Sequence, residues 1–488
     1  MRAWWLLLLL VAPAVAEPHG PIRIVSDRDF LNPGNGVSGG TGTADDPYII
    51  EGWDIEPDLL DLAQPAAIHI EGTEAHVVLR DIGIHVPFYA GIRVLDARNV
   101  TFQDIEMEKQ RHAFWADEAR DLRIERLTST SEGSSPFNLM ITDSQRVLVR
   151  GATLTGDGPG IQATGGRFLR FEGLHVHGQD QGIRIQGASD VALISVVVAE
   201  TQGDGVWLRN LTRLDARGLN AVGSAADQGA NTGRGIVAWN VAGSFHNVLV
   251  RDNDATGLFL LDSPATVTSG QALDNRVGIY QEGTRGDIRD VEAHGNRQEG
   301  ILVVGHGGSW LGQALRLHDN GANGLHIQGV DRVDLSDIRS DANRGGVVVR
   351  DGGNVTIDGM HVAGNGVGLG LLNIGGDVRA VTATENEIGI QAYAVERLVL
   401  RGNVAKANGG DGFDLHGEGL VARGNEAASN GGYGIRVRDG GNVTLSNNIL
   451  VGNGFGDVSG SPQQESPGPW LLPAVLFAAA LRVLHQRP

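Results

Sequence analysis

The sequence predicts an all-β fold in which short strands wind into stacked coils, and three observations carry that prediction. A glycine followed by apolar residues at the first and third positions after it recurs from Gly160 to Gly434 at spacings of 21 to 24 residues, with one gap of 30. The heptapeptide RDGGNVT occurs twice, at Arg350–Thr356 and Arg438–Thr444. Glycine makes up 72 of the 488 residues, and the apolar residues are mostly Val, Ile and Leu, which favour strands.

Each repeat is predicted to form three short strands joined by three corners. Apolar residues alternate after the glycine, as in Ile183 and Ile185, which indicates a strand with one buried face. A second alternating strand and a short third strand follow, and then a turn such as Asp319-Asn320-Gly321, where Asn and Gly suit tight corners because they tolerate positive φ. About 22 residues arranged in this way predict one coil of a right-handed parallel β-helix, with about 16 coils in all.

A leucine-rich repeat has the same period and is the alternative architecture. It predicts Leu at the repeated positions and a helical or extended second half. Here Gly and Val dominate, and no segment of 160–456 has helical periodicity. The gap of 30 places a small, polar insertion within Gly223–Gly235, predicted to be a loop beside the binding face.

The N-terminal module carries a resemblance to a known family. Gly36–Ile55 reads GVSGGTGTADDPYIIEGWDI, and residues 17–90 are predicted to cap the open end of the coils and to form the first strands. This stretch, the repeats at 91–456 and the C-terminal tail resemble exported archaeal β-helix proteins of the NosD type, which carry pectate-lyase-like carbohydrate-binding-and-sugar-hydrolase repeats. The resemblance implies an exported parallel β-helix and leaves the activity open, because one fold hosts many functions.

The two ends of the chain resemble targeting segments. Residues 1–16, MRAWWLLLLLVAPAVA, combine Arg2, an apolar run and Ala14-Val15-Ala16, the pattern of a secretory signal peptide. A polar linker at 457–468 precedes the segment 469–488, which resembles surface-sorting signals that hold a protein in the membrane; a buried terminal helix is the alternative. We expect an exported protein, anchored at the cell surface by its C-terminus or extracellular after cleavage.

Charge and composition exclude several classes of function. The net charge of −19 disfavours nucleic-acid binding, which needs a positive surface. The chain has no cysteine, so disulfides, thiolate metal sites and cysteine nucleophiles are excluded.

No catalytic residues are predicted. Gly305-His306-Gly307 matches one motif of polygalacturonase-like hydrolases, but the accompanying Asn-Thr-Asp and Arg-x-Lys motifs are missing, so we interpret it as a corner. A calcium-dependent lyase needs clustered acids, and the outward positions offer only the scattered Glu282 and Asp414. A polysaccharide lyase or glycoside hydrolase, with calcium as a possible cofactor in the first case, remains an alternative function.

Two further sets of residues, a histidine pair and four sequon asparagines, each allow a functional and a structural interpretation. His175 and His177 lie two apart on a predicted strand and so face one way; they either start a copper site, as in a NosD-like copper-delivery protein, or are surface histidines. Four Asn-x-Thr sequons are either structural corners or glycosylation sites in an exported protein. They are Asn99, Asn210, Asn354 and Asn442.

The strongest functional prediction is a column of outward residues, each two positions after a repeat glycine. Its middle is apolar and aromatic and includes Trp207, Val237, Phe259, Tyr280, Leu302 and His326. Trp239, Leu261 and Val304 extend the patch, and Arg209, Glu282 and Gln328 form a polar rim. Exposed apolar patches mark interaction sites, so the column predicts binding of an extracellular glycan or a surface protein. The insertion could instead fold over the patch, and a purely structural role is the remaining alternative.

Overall fold

The computed structural model describes residues 16–56, 66–85, 87–132, 137–226, 232–438 and 442–464. In these ranges every regular element is a β-strand except two short 3₁₀ helices, Asp27–Leu31 and Pro33–Asn35. The fold is an all-β parallel solenoid of about 17 turns, close to the predicted number. Among the described residues, both helices precede residue 160. The prediction that the repeats contain only strands is therefore confirmed, and the structure does not support the leucine-rich alternative with its helical second half. The chain divides into two compact units, residues 1–220 and 221–488.

The strands of the first unit are mostly short, and the last of them runs past the boundary at Asn220. In chain order they are β1 (Glu17–His19), β2 (Ile22–Ile24), β3 (Val37–Gly39), β4 (Tyr48–Glu51), β5 (Trp53–Ile55), β6 (Ala66–Glu71), β7 (Val77–Ile84), β8 (Ala90–Leu95), β9 (Val100–Gln110), β10 (His112–Asp117), β11 (Arg120–Ser131), β12 (Phe137–Thr142), β13 (Gln145–Arg150), β14 (Thr153–Gly156), β15 (Ile161–Thr164), β16 (Arg167–Glu172), β17 (His175–His177), β18 (Ile183–Gln186), β19 (Ser189–Ala199) and β20 (Val206–Val222).

In the second unit several strands continue around a corner and are correspondingly long. They are β21 (Ile236–His246), β22 (Leu249–Arg251), β23 (Thr256–Leu261), β24 (Ala265–Leu273), β25 (Val277–His294), β26 (Ile301–His318), β27 (Asn323–Gln328), β28 (Arg332–Asp341), β29 (Gly345–Arg350), β30 (Asn354–Ala363), β31 (Val367–Leu372), β32 (Gly375–Thr384), β33 (Ile388–Glu396), β34 (Leu398–Arg401), β35 (Val404–Lys406), β36 (Phe413–Arg423), β37 (Glu426–Ala428), β38 (Tyr433–Val437), β39 (Asn442–Ser446), β40 (Ile449–Val451), β41 (Gly456–Ser459) and β42 (Gln463–Gln464).

Equivalent residues of successive coils stack directly on one another through parallel pairing. In the second unit Ile301 pairs with Leu325, and Leu325 pairs in turn with Val347. These side chains are fully buried, because the strand alternation turns each of them toward the core. The first unit repeats the pattern with Ile161 and Ile183. The 22-residue spacing is therefore the length of one turn, as the sequence predicts.

The repeat glycine is required by close approach of the backbone. A Cβ at Gly300 would lie 2.7 Å from the carbonyl oxygen of Gly324, and one at Gly412 would lie 2.7 Å from that of Gly434. Neither glycine has a positive φ. Consequently a side chain here is excluded by the neighbouring coil rather than by the local backbone conformation.

The asparagines of the predicted Asn-Gly turns are buried, which corrects the interpretation of them as positive-φ corner residues. In the turn at 319–321 it is Asp319 that has the positive φ, at 56°, whereas Asn320 is only 3% exposed. The Asn side chains point inward and bond to one another from coil to coil. This ladder runs through Asn253, Asn275, Asn296, Asn320, Asn343, Asn365, Asn386, Asn408, Asn430 and Asn453.

The N-terminal module adds irregular structure to the first unit. Strand β2 pairs with β6, which brings Ile22 and Ile24 into the core. Strands β3 and β4 pair antiparallel, and Phe30 stacks on Tyr48 with ring centroids 4.4 Å apart. An aromatic contact therefore joins the 3₁₀ region to the first coil.

The predicted targeting segments lie outside the described residues. Apart from residue 16, the signal peptide at 1–16 falls in the undescribed range 1–15, and the sorting segment at 469–488 falls in the range 465–488. In the ranges given above, no helix is both long and apolar enough to cross a membrane.

Candidate binding surface

The predicted column is continuous in the second unit. Val237 pairs with Phe259, Phe259 with Tyr280, and Tyr280 with Leu302. A second column lies two residues further along the same strands. It consists of Trp239, Leu261, Glu282, Val304 and Gln328. The pairing brings Phe259 and Tyr280 together as predicted, and we call Trp239, Phe259, Leu261, Tyr280 and Glu282 the aromatic patch.

The exposure of the columns is graded. Phe259, Tyr280 and Leu302 are half-buried, and Trp239 is 38% exposed. Val237 is only 3% exposed, although the alternation predicts that it faces outward. Arg234, at the end of the insertion, extends over Phe259, the partner of Val237. Part of the predicted patch is therefore covered, and Trp239 has a larger exposed fraction than Phe259, Tyr280 or Leu302.

Phe259 and Tyr280 form a parallel stack with ring centroids 5.0 Å apart and an interplanar angle of 4°. The guanidinium carbon of Arg234 lies 5.2 Å from the Phe259 centroid, within the range of a cation–π contact. The two rings support each other along the direction of the stack. They therefore offer a ligand their outer edges, and Trp239 supplies the exposed aromatic surface.

A hydrogen-bonded chain of three side chains borders the stack. The Tyr280 hydroxyl donates to Glu282 Oε2 at 2.7 Å, and His306 Nε2 lies 3.1 Å from Glu282 Oε1. The hydrogen bond from Tyr280 lowers the pKa of Glu282; burial opposes this, and the bond with His306 adds to it. Burial, and then the bond to Glu282, raises the pKa of Tyr280 well above its usual range. At neutral pH the site thus holds an ionised carboxylate and a protonated phenol.

His326 continues the first column and is half-buried between Leu302 and Val348. Burial lowers its pKa, with smaller opposing effects from nearby charges. Its Nε2 is shielded from solvent and makes no hydrogen bond within the described residues.

Trp207 and Arg209 belong to the first unit. There Trp207 pairs with Arg184 in register, and the Arg184 guanidinium carbon lies 4.6 Å from its ring centroid. Trp207 is half-buried, as is Arg209. The first unit therefore has its own cation–π pair at the predicted column position.

The predicted metal pair, His175 and His177, lies exposed on β17. His177 Nε2 approaches Glu200 at 3.4 Å. Three-residue groups able to hold a metal in the described ranges are elsewhere: Glu292 with His294 and His318, and His85 with Glu106 and Glu108. The first group was missed, although His294 and His318 each stand two residues before a ladder asparagine and could have been recognised from that repeated phase.

Asp414, taken as an outward acid, is buried at 2% exposure and forms a two-point ion pair with Arg438 at 2.7 and 2.6 Å. It is therefore committed to a structural contact. The motif residue His306 is exposed, and Gly307 and Gly308 have φ of 84° and 75°, which fits a corner.

The sequon asparagines occupy two environments. Asn99 and Asn210 have positive φ, and the Asn99 amide donates to the Glu74 carbonyl at 3.0 Å. Asn354 and Asn442 begin strands β30 and β39 and are exposed. A corner role fits the first pair, and the exposed second pair keeps glycosylation as a prediction.

Comparison with known families identifies the repeat. Residues 234–377 and 277–464 match the family model described as right handed beta helix region. Residues 234–464 are a right-handed β-helix repeat region. No curated protein matches the sequence of this β-helix protein.

Solved β-helix structures are distant from it. The mannuronan C-5 epimerase AlgE4 A-module of Azotobacter vinelandii is 14% identical, over 73% of this chain and 91% of that chain, with a TM-score of 0.37. A mutant of the periplasmic alginate epimerase AlgG is 11% identical over 68% and 85%, with a TM-score of 0.30. PfbA, a surface adhesin of Streptococcus pneumoniae, is 9% identical over 85% and 84%, with a TM-score of 0.15. At this distance the likeness says nothing about a ligand.

Proposed function

We propose that this β-helix protein binds a neutral extracellular polysaccharide through the aromatic patch. The observation that carries the proposal is the column in which the exposed Trp239, Leu261 and the carboxylate of Glu282 follow one another on successive coils, with Glu282 held in place by Tyr280 and His306. Sugar rings pack their C–H faces on aromatic side chains while their hydroxyls need fixed polar partners. The patch supplies both kinds of contact.

The charge of the patch favours a neutral glycan over an acidic one. An ionised carboxylate accepts hydrogen bonds at about four lone-pair positions, and Tyr280 and His306 occupy only two. Glu282 can therefore accept sugar hydroxyls, whereas it repels a uronate or a sulfate. The net charge of −19 opposes the approach of a polyanion in the same way.

The protonation states at the patch favour binding over catalysis. A lyase or hydrolase needs a group whose pKa lies near the working pH. The pKa of Glu282 is lowered by its bond from Tyr280, and that of Tyr280 is raised by burial and by the same bond. Glu282 is therefore ionised and Tyr280 protonated at neutral pH, which supports a binding role for the patch.

The test is affinity electrophoresis of the full-length chain through a series of neutral polysaccharides, with alginate and pectate as acidic comparisons. We expect retardation by at least one neutral polymer, and at least a tenfold loss of affinity in Trp239→Ala, equivalent to about 1.4 kcal/mol. Tyr393→Ala is the matched control, since Tyr393 is an exposed aromatic residue continuing the second column further along the unit.

Two results would overturn the proposal. One is unchanged binding in Trp239→Ala, which would put the ligand elsewhere. The other is a preference for alginate or pectate over every neutral polymer, which would contradict the charge argument. Retardation by none of the polymers counts against a glycan ligand and in favour of a protein partner or a structural role.

We also propose that the protein acts outside the cell, held at the membrane by its C-terminal segment. The support is the Ala14-Val15-Ala16 cleavage pattern and the apolar stretch before Arg482. N-terminal sequencing of protein from the native cells should find residue 17 first. A protein that retains Met1 and fractionates with the cytosol would contradict the proposal.

A further inference from the structure

A second cluster of polar side chains lies twelve residues beyond Tyr280 on the same long strand, β25. Glu292 and His294 are two residues apart and so project from one face. His294 pairs in register with His318 of β26, and their rings stack with centroids 4.6 Å apart and an interplanar angle of 14°. One ligand atom from each of the three residues lies within 4.8 Å of the other two.

Neighbouring residues already orient two of these side chains. His318 Nδ1 lies 2.8 Å from Asp319 Oδ2, and its Nε2 lies 3.4 Å from Glu292 Oε1. Gln271 donates to Glu292 Oε2 at 3.1 Å. A carboxylate on the far nitrogen of an imidazole is the usual support of a metal-binding histidine, because it fixes the tautomer and makes the near nitrogen more basic.

Both carboxylate oxygens of Glu292 are held by hydrogen bonds, Oε2 by Gln271 and Oε1 by His318. Other charged groups facing the cluster are Asp319 on His318 and Arg316, which pairs with Glu292 in register.

We propose that Glu292, His294 and His318 form a zinc-binding site. Two imidazole nitrogens and one carboxylate oxygen match the three protein ligands of sites that keep a fourth position open. Calcium needs six to eight oxygens, and this set contains too few. The rings are partly exposed, so rotation of the side chains can shorten the separations to those of ligands bound at about 2.0–2.1 Å.

The cluster adjoins a surface cavity at Glu292. Glu292 also lines a surface cavity of about 320 Å³ whose other polar walls include Gln271, Asp290 and Arg316. A zinc ion at Glu292 would stand at the edge of this cavity and leave room for water or an anionic ligand group opposite Arg316. The second three-residue group, His85 with Glu106 and Glu108, offers one imidazole and is the weaker candidate for zinc.

The test is zinc competition between the full-length chain and a chromogenic chelator at neutral pH. We expect one site with affinity reduced at least a hundredfold in His294→Ala and in His318→Ala. His361→Ala is the matched control, because His361 stands in the same column as Glu292 but outside the cluster. His85→Ala controls for the other group, and both controls should bind zinc as the native chain does.

Asp319→Asn separates a metal site from a simple ion pair. It should weaken zinc binding by about 10- to 100-fold, because His318 loses the carboxylate that supports it. In the absence of metal, its melting temperature should equal those of the His361→Ala and His85→Ala controls. Glu292→Gln, which keeps the volume, should also lose zinc affinity. Equal zinc affinity in the native chain, His294→Ala and His318→Ala would overturn the proposal, as would loss of the site in His85→Ala alone.

Discussion

The side-chain oxygen of Asn343 accepts two hydrogen bonds from Asn320, one from its backbone N–H at 3.0 Å and one from its side-chain amide at 2.9 Å. Asn343 in turn donates in the same way to Asn365 of the next coil. Each asparagine of the ladder thus satisfies the hydrogen-bonding groups of its neighbour, in an interior that is shielded from solvent. Buried amides of this kind are stabilising only while every partner is present.

Replacing Asn343 by alanine should therefore destabilise the second unit strongly. The change removes the acceptor of the Asn320 backbone N–H and of one of its side-chain N–H groups, and it removes the Asn343 amide that donates to the Leu317 carbonyl. We expect a loss of about 3 kcal/mol, measured as a shift of the urea midpoint. Asn354→Ala, at an exposed position, should stay within about 0.5 kcal/mol of the native chain; a similar shift in both variants would contradict the role of the ladder.

Two glycines on β31 should respond oppositely to alanine. A Cβ at Gly368 would lie 2.6 Å from the Gly389 carbonyl oxygen and 2.9 Å from Val362 Cγ2, whereas at Gly370 the nearest atom is 3.6 Å away. Gly368→Ala should cost at least about 3 kcal/mol through overpacking. Gly370→Ala should be neutral or slightly stabilising. Thermal melting of the two variants decides the matter, and equal melting temperatures would refute the close-approach argument.

The indole of Trp310 is anchored beneath the aromatic patch. Its Nε1 donates to Gln281 Oε1 at 2.9 Å, and each residue is only 2% exposed. Trp310→Phe removes the donor and leaves a buried amide oxygen unpaired, so we expect a loss of about 2–4 kcal/mol. Adding Gln281→Leu to Trp310→Phe removes the unpaired oxygen and should recover part of that loss. A double variant less stable than Trp310→Phe would argue against the hydrogen bond as the cause.

The Tyr280–Glu282 bond should make stability depend on pH. Because the folded pKa of Glu282 is lowered from 4.5, chiefly by the bond from Tyr280, the stability it contributes is present above the unfolded pKa. It is lost as the pH falls through the folded pKa. The native chain should thus melt higher than Glu282→Gln at pH 7, and the gap should close in the acid range below 4.5.

The control for this titration is Glu418→Gln, at an exposed position of the same unit. Its melting temperature should follow that of the native chain across the whole pH range. A gap between the native chain and Glu282→Gln that stays constant from pH 7 to pH 3 would mean that the carboxylate gains nothing from Tyr280.

The length of each coil was predictable because the repeat glycines recur at a regular spacing in the sequence. A glycine that must admit the neighbouring carbonyl and a strand with one buried face recur together, so Gly300 and Gly324 could be aligned without coordinates. The stacking of Phe259 on Tyr280 followed from the same count. Burial of Val237 did not follow, because the alternation of a strand gives the direction of a side chain and not what packs over it.

The burial of the ladder asparagines could not be predicted from the residues next to them in the sequence. An Asn beside Gly is typical of an exposed turn, and only the neighbouring coils can supply the partners that let Asn320 turn inward. The metal cluster has the same origin, since His294 and His318 are 24 residues apart and meet across one coil boundary.

By itself the sequence determined the all-β class, the length of a turn and which side of each strand faces the core, because these are periodic properties of a single chain. The tertiary structure decided which polar groups find partners and how far each outward residue is exposed. Glu282 is ionised and held in place because Tyr280 and His306 reach it, and Asp414 is unavailable because Arg438 does. Those contacts depend on side-chain positions in adjacent coils, which the repeat length alone does not specify.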